Sequence, residues 1–259
     1  MEELTQAIEA GDYPRAFTAL GRSDQANTPV GLASGAFLLA LQARFDEAEE
    51  LLARTQAPAI AAIVRGERER CARWGDPRVA GQLAASVPLP FLGVYAGMAL
   101  ALLQGDEALV ARIKADMATQ VKPVAGTLHL TAGHTRAFTD LADADDPIGQ
   151  MLEVYVGSGL LYFPFAALRR IDFLPPKNFI DMLVRKVQLT DRQGRASQGF
   201  CPLLYAYSST APDSLIRNGR TTMFEYVGAG RRGSGQRDFC LDGSTMVGME
   251  RTTAIELAA

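Results

Sequence analysis

The chain has 259 residues, 48% apolar and 21% charged, with a net charge of -3. These proportions exclude a disordered or collagen-like polymer and allow a buried core in one large domain or two small ones. The three cysteines, Cys71, Cys201 and Cys240, are too scattered for a disulfide framework or a Cys-x-x-Cys metal knuckle and fit a reducing, cytoplasmic setting.

Met1-Glu-Glu-Leu lacks the basic and apolar regions of a signal peptide. No apolar run reaches the roughly 18 to 20 residues of a membrane-spanning helix, so no membrane insertion is expected. Up to Pro123 the pattern is helical. Leu4, Ala7 and Ile8 make a short apolar stripe. Asp12-Tyr-Pro14 and Thr28-Pro29 are helix starts, each with Pro in the first turn. Phe45 to Leu52, Ile60 to Trp74, Phe91 to Leu103 and Leu109 to Met117 continue the series. Gly11-x-Tyr13-x-x-Ala16-x-x-Ala19-Leu20 aligns with Ala43-x-Phe45-x-x-Ala48-x-x-Leu51-Leu52 at an offset of 32 residues, and Gly105-Asp106 opens a third, degraded copy. This spacing suggests a tetratricopeptide-like array, whose period is about 34 residues; a generic helical bundle is the alternative.

Residues 124–146, with two glycines and the acidic run Asp140, Asp143, Asp145 and Asp146, are expected as a linker into a second domain. From Met151 the period becomes two. Leu152 to Val156 and Leu160 to Phe163 flank Gly157-Ser158-Gly159 as a hairpin. Strands are expected at Leu168–Phe173, Val187–Leu189, Gly199–Tyr205, Phe224–Val227, Phe239–Leu241 and Ala254–Leu257, with a helical turn or two at Asn178–Leu183. The expected class is therefore α+β: a helical domain at 1–123 and a small, mostly antiparallel β domain at 147–259.

Gly228, Gly230 and Gly233 match the dinucleotide spacing G-x-G-x-x-G. No helical stripe comes after them, however, and too little chain remains for a nucleotide fold. They are expected as a mobile connection between strands. His129 and His134 show no metal-ligand spacing, and Cys201 and Cys240 lie in apolar strands that favour inert thiols. The aromatic residues are spaced as core and do not form a stacking platform for nucleic acid. No catalytic residue, metal or cofactor is expected. Between Arg169 and Arg237, twelve Lys or Arg stand against five Asp or Glu. Either this is a solvated sheet surface or it is a face for an acidic partner, with Arg169, Arg170, Arg185, Lys186, Arg220, Arg231, Arg232 and Arg237 as candidate contacts.

One block is distinctive: Met151-Leu-Glu-Val-Tyr-Val156, Leu161-Tyr-Phe-Pro-Phe165, Leu168-Arg-Arg-Ile-Asp-Phe173, Asn178-Phe-Ile-Asp-Met-Leu-Val-Arg185, Pro202-Leu-Leu-Tyr205 and Asn218-Gly-Arg-Thr-Thr222. In order and spacing it resembles the ImpE/TagJ family of type VI secretion accessory proteins. Gly66-Glu-Arg-Glu-Arg70 also looks like that family's first half. The resemblance implies a cytoplasmic, non-enzymatic adaptor. Its partners would be the small subunit of the contractile sheath, through a helix near that subunit's N-terminus, and the AAA+ ATPase that disassembles spent sheath. A general tetratricopeptide-type scaffold unrelated to secretion is the alternative.

Overall fold

The computed structural model describes residues 2–80, 82–88, 91–157 and 159–258. Its first half is helical: α1 (Glu2–Glu9), α2 (Tyr13–Gly21), α3 (Pro29–Ala40), α4 (Phe45–Leu52), α5 (Pro58–Gly75), α6 (Pro77–Ala80), α7 (Leu92–Gln104) and α8 (Glu107–Gln120). The anticipated starts have a local cause. Asp12, Thr28 and Asp106 each accept a hydrogen bond from a backbone N–H of the first turn, at 3.1, 3.0 and 2.9 Å, and so satisfy a donor the helix cannot.

The repeated small residue also has a backbone reason. Gly11, Ala43 and Gly105 occupy the turns of the α1–α2, α3–α4 and α7–α8 hairpins in the left-handed conformation, with φ of +65°, +58° and +67°. Chain reversal at these points demands that conformation, and it is nearly free of cost only for glycine. One turn further on, the small Ala16 and Ala48 are fully buried, which lets paired helices approach closely.

The remaining strands are β1 (Gly126–Leu130), β2 (Thr135–Phe138), β3 (Leu141–Asp143), β4 (Met151–Val156), β5 (Gly159–Pro164), β6 (Leu168–Phe173), β7 (Val184–Asp191), β8 (Ala196–Pro202), β9 (Thr222–Val227), β10 (Gly230–Gly235), β11 (Asp238–Leu241), β12 (Thr245–Gly248) and β13 (Thr252–Leu257), with one short helix, α9 (Ser214–Arg217). Eight of them form an antiparallel sheet in the order β2-β1-β13-β6-β7-β8-β4-β5. The hairpin read from the sequence is β4–β5, with Val156 opposite Gly159; Ser158 of its turn lies outside the described residues. Asn178–Leu183 forms one 3-10 turn, Ile180–Met182.

The expected linker at 124–146 is instead β1, β2 and β3. β1 inserts between β2 and β13, Leu128 opposite Ile255, and β3 pairs with β11 in a three-stranded sheet, β12-β11-β3. Alternation is legible only over several residues, and these strands of three to five residues are too short to display it. The two sheets share one core. Leu128, Ile171, Val187 and Ile255 from the large sheet meet Leu141, Phe239 and Leu241 from the small one, and the Phe239 ring stands edge-on to Phe165 and Phe173.

Helices cover the opposite face at β4 and β5. Met151, Tyr155 and Tyr162 share a cluster with Phe37, Leu38 and Ile63. Gly66 makes that approach possible, because a Cβ there would lie 2.2 Å from the Tyr155 ring.

Candidate partner-binding surface

The motif Gly66-Glu-Arg-Glu-Arg70 lies where α5 meets its neighbours, and each of its polar residues has a task. Glu67 accepts from the Tyr155 hydroxyl and pairs with Arg70 at 2.7 Å. Arg68 bridges to Asp46 and Glu49 of α4 at 2.8 and 3.0 Å. Glu69 accepts from the N–H of Leu160 at 2.8 Å, and Arg70 donates to the carbonyl of Leu204 at 2.6 Å.

Arg70 also lies 3.7 Å from Glu153. Glu153 in turn binds Arg237 at 3.1 Å, and Arg237 binds Asp143 at 2.5 Å. Burial opposes the charge on Arg237, but Asp143 and Glu153 outweigh it and raise its pKa. This sealed chain of charges ties α5, β3, β4 and the start of β11 into one body.

The glycine stretch closes the same region. Gly228 and Ala229 turn β9 into β10, and β11 comes next where a nucleotide fold would need a helix. The remaining glycines are strand residues under tight cover, which overturns the expectation of a mobile connection. A Cβ on Gly230 would meet Leu102 and Val110 at 2.8 Å, and one on Gly233 would meet the Tyr205 ring at 2.4 Å. The acidic run lies alongside: Arg231 N–H donates to Asp146 at 2.6 Å and Gly233 N–H to Asp145 at 2.8 Å.

The candidate arginines separate into groups. Arg237 is fully buried and Arg185 nearly so. Arg185 donates to the carbonyls of Leu174, Glu250 and Thr252 at 3.1, 2.8 and 3.2 Å. Neither reaches a partner, because each is consumed in satisfying buried acceptors. Arg170 pairs with Asp172 and Glu256, while Arg231 and Arg232 lie over the rings of Phe224 and Trp74. A register shift falls between Leu168 and Arg170 where β6 pairs with β7. Arg169, Lys186 and Arg220 are exposed. Part of the basic excess of this half is therefore engaged in structural bonds.

Cys71, Cys201 and Cys240 are free and buried. Burial pushes the Cys201 thiol up to about 12, and it faces the Met249 sulfur at 3.4 Å. His129 lies on β1, paired in register with Ala254. No group of three or more His, Cys, Asp or Glu among the described residues is placed to hold a metal. No helix of the described residues is long and apolar enough to cross a membrane.

One open surface feature among the described residues is an apolar trough that the charge pattern of the sequence did not reveal. One part, of about 710 Å3, is lined by Leu4, Leu20, Val30, Ala33, Ile60 and Phe179 among others. A second, of about 430 Å3, shares Leu4 and Phe179 and continues past Ile8, Met182 and Leu203 to Arg220. Val30 is 72% exposed and Met182 62%, so large apolar side chains stand in solvent on both parts.

Local chemistry builds the walls. Asn178 accepts from the N–H of Ile180 at 2.9 Å and of Asp181 at 3.3 Å, fixing the 3-10 turn that presents Phe179 and Met182. Thr28 donates to the Gln25 carbonyl at 2.8 Å while capping α3. A Cβ on Gly31 would lie 1.8 Å from that carbonyl, so only glycine lets this corner close. A clue was available in Phe179 and Met182, two large apolar residues three apart in a segment too short to bury both.

Together these features define an α+β protein in which a helical layer is locked onto an antiparallel sheet and an apolar trough is left open. The architecture is similar to that of protein VPA1032 from Vibrio parahaemolyticus, with a TM-score of 0.74 over 99% of this chain and 97% of that one, at 15% identity. Residues 135–255 match the family described as ImpE protein. The type VI secretion system accessory component TagJ of Pseudomonas aeruginosa is 33% identical over 105 residues, 40% of this chain; the match spans 36% of that protein's length. Over residues 135–255 the chain is therefore similar to the ImpE/TagJ proteins.

Proposed function

We infer that the chain is a non-catalytic accessory protein of a bacterial type VI secretion system. It works in the cytoplasm as an adaptor between the small subunit of the contractile sheath and the AAA+ ATPase that disassembles spent sheath. The observation that carries this reading is the ImpE match over 135–255, joined by a relative that bears the name of a type VI accessory component. An open apolar trough and the burial of all three thiols support the adaptor class, since apolar grooves hold polypeptide and buried thiols are poor nucleophiles.

In this reading residues 1–123 are a short tetratricopeptide-like array, supported by the hairpin turns that share a left-handed residue at Gly11, Ala43 and Gly105. The strands beyond it form the family's β unit. Arg169, Lys186 and Arg220, exposed on that unit, are the basic positions retained as partner contacts. The test is a pull-down of the purified small sheath subunit, and separately of the ATPase, by the full chain. Retention of the sheath subunit at moderate salt is expected. Absence of both proteins at low and moderate salt would remove the reading.

A further inference from the structure

We propose that the cleft between α5 and β5 binds a free apolar α-amino acid as its zwitterion, with the carboxylate on Arg73 and the ammonium group on Glu69. The inference goes beyond the adaptor reading and does not depend on it. Three observations carry it.

The first is an incomplete cation. Arg73 is 3% exposed. Arg70 and Arg237, buried as deeply, each hold a carboxylate, whereas Arg73 forms no ion pair among the described residues. Its Nε donates to the Ala80 carbonyl at 3.1 Å and its Nη1 to the Tyr162 hydroxyl, while Nη2 has no hydrogen-bond partner among them. The Tyr162 hydroxyl donates in turn to Glu153 at 2.8 Å, a carboxylate already shared by Arg70 and Arg237. A buried guanidinium with an idle donor is costly until an anion completes it.

The second is a pair of opposite charges held apart on one cleft. Arg73 and Glu69 both line an open cavity of about 400 Å3, a size that suits a small molecule. They stand four apart on α5, Glu first, a spacing that ordinarily closes as an ion pair. Here it does not close. Glu69 accepts from the Leu160 N–H at 2.8 Å, and Arg73 is drawn to Ala80 and Tyr162. A zwitterion answers both charges, while a dianion is opposed by Glu69 and a plain cation by Arg73.

The third is the rest of the wall. Val79, Leu83 and Leu160 give it an apolar side on which an aliphatic side chain can be buried. An extended peptide is disfavoured, because the edge of β5 is taken at this point: the Tyr162 N–H donates to the Ala84 carbonyl and the Ser86 N–H to the Tyr162 carbonyl, both at 2.9 Å. A strand laid there would find no ladder to join.

The experiment titrates the full chain with L-leucine, up to about 10 mM, by calorimetry and by melting temperature, which a ligand of the native state raises. Four compounds remove one feature each. Leucinamide lacks the carboxylate and should bind at least about tenfold more weakly. Glycine lacks the apolar side chain and should lose about tenfold. 4-Methylpentanoate and N-acetyl-leucine lack the ammonium group and should each lose about threefold, because Glu69 is exposed. Inorganic phosphate should not compete.

Arg73→Met should abolish binding. Glu69→Gln, at an exposed position and still able to accept from the Leu160 N–H, should weaken leucine about threefold and leave 4-methylpentanoate unchanged, so that the two bind alike. Melting curves confirm that both variants fold; if Arg73→Met does not, Glu69→Gln and the ligand series still decide. No binding of leucine, or leucinamide, N-acetyl-leucine or phosphate binding as tightly as leucine, would overturn the proposal. So would a Glu69→Gln variant that still prefers leucine to 4-methylpentanoate.

Discussion

Replacing Arg237 by Met keeps most of the side-chain volume and removes the guanidinium from the sealed network. Glu153 retains Arg70 at 3.7 Å, so the penalty falls mainly on Asp143. That residue loses its bonds to Arg237 at 2.5 and 3.0 Å and keeps only the Asp145 N–H at 2.8 Å. With no route to solvent, its carboxylate must remain buried without a counter-charge or take up a proton. At pH 7, about three units above an ordinary Asp, protonation costs about 1.4 kcal/mol per unit, hence about 4 kcal/mol, within the 3 to 5 expected for breaking one side of a buried pair. For a chain of this size that lowers Tm by roughly 8 to 16 °C. Urea denaturation at pH 7 and pH 5 measures it. The loss should shrink by more than half at pH 5, and the double variant Arg237→Met, Asp143→Asn should recover at least half of it at pH 7. A cost below about 1 kcal/mol, or one independent of pH, would refute the reasoning.

The same geometry predicts three further outcomes. Gly233→Ala drives a methyl group into the Tyr205 ring, at 2.4 Å, and should cost about 1 to 3 kcal/mol by thermal denaturation. Burial raises the Asp238 carboxyl to about 6, so the unfolded chain ionises at lower pH than the folded one and stability is lost as pH rises from about 4 to about 6. Asp238→Asn should remove that loss. After discounting for screening at this partly exposed side chain, it should gain about 1 kcal/mol at pH 7.5 and nothing at pH 4. The three thiols should resist a thiol reagent in the native protein and react together on unfolding; rapid native labelling of Cys201 would contradict its burial.

The helices were legible because their signals are local. Asp12, Thr28 and Asp106 cap the helices that begin beside them, and the apolar stripes run long enough to show their period. Most strands after Met151 carry enough apolar or β-branched residues to be read as strands, but β10 and β12 (Thr245–Gly248) were not anticipated. β1, β2 and β3 were not, since each is too short to display a period and is fixed by partners far along the chain, such as β13 and β11. The glycines of β10 looked like a loop because their requirement is steric, set by Tyr205, Leu102 and Val110, none of them near in sequence.

The charges misled in a related way. Arg185 and Arg237 count as surface charge in a composition, yet they fold inward onto carbonyls and carboxylates. Glu153, flanked by Leu152 and Val154 in an otherwise apolar strand, was the available sign that a buried cation was needed. The trough was out of reach because its walls converge from α1, α3, α5 and the turn at Ile180–Met182, and no single segment reveals it.

Hydrogen exchange, with and without the purified small sheath subunit, tests the central claim most directly. Added protection is predicted in residues 4–9, 29–34 and 178–183, the walls of the trough. Protection confined to β9 or to the exposed face around Arg170, with those walls unchanged, would contradict it.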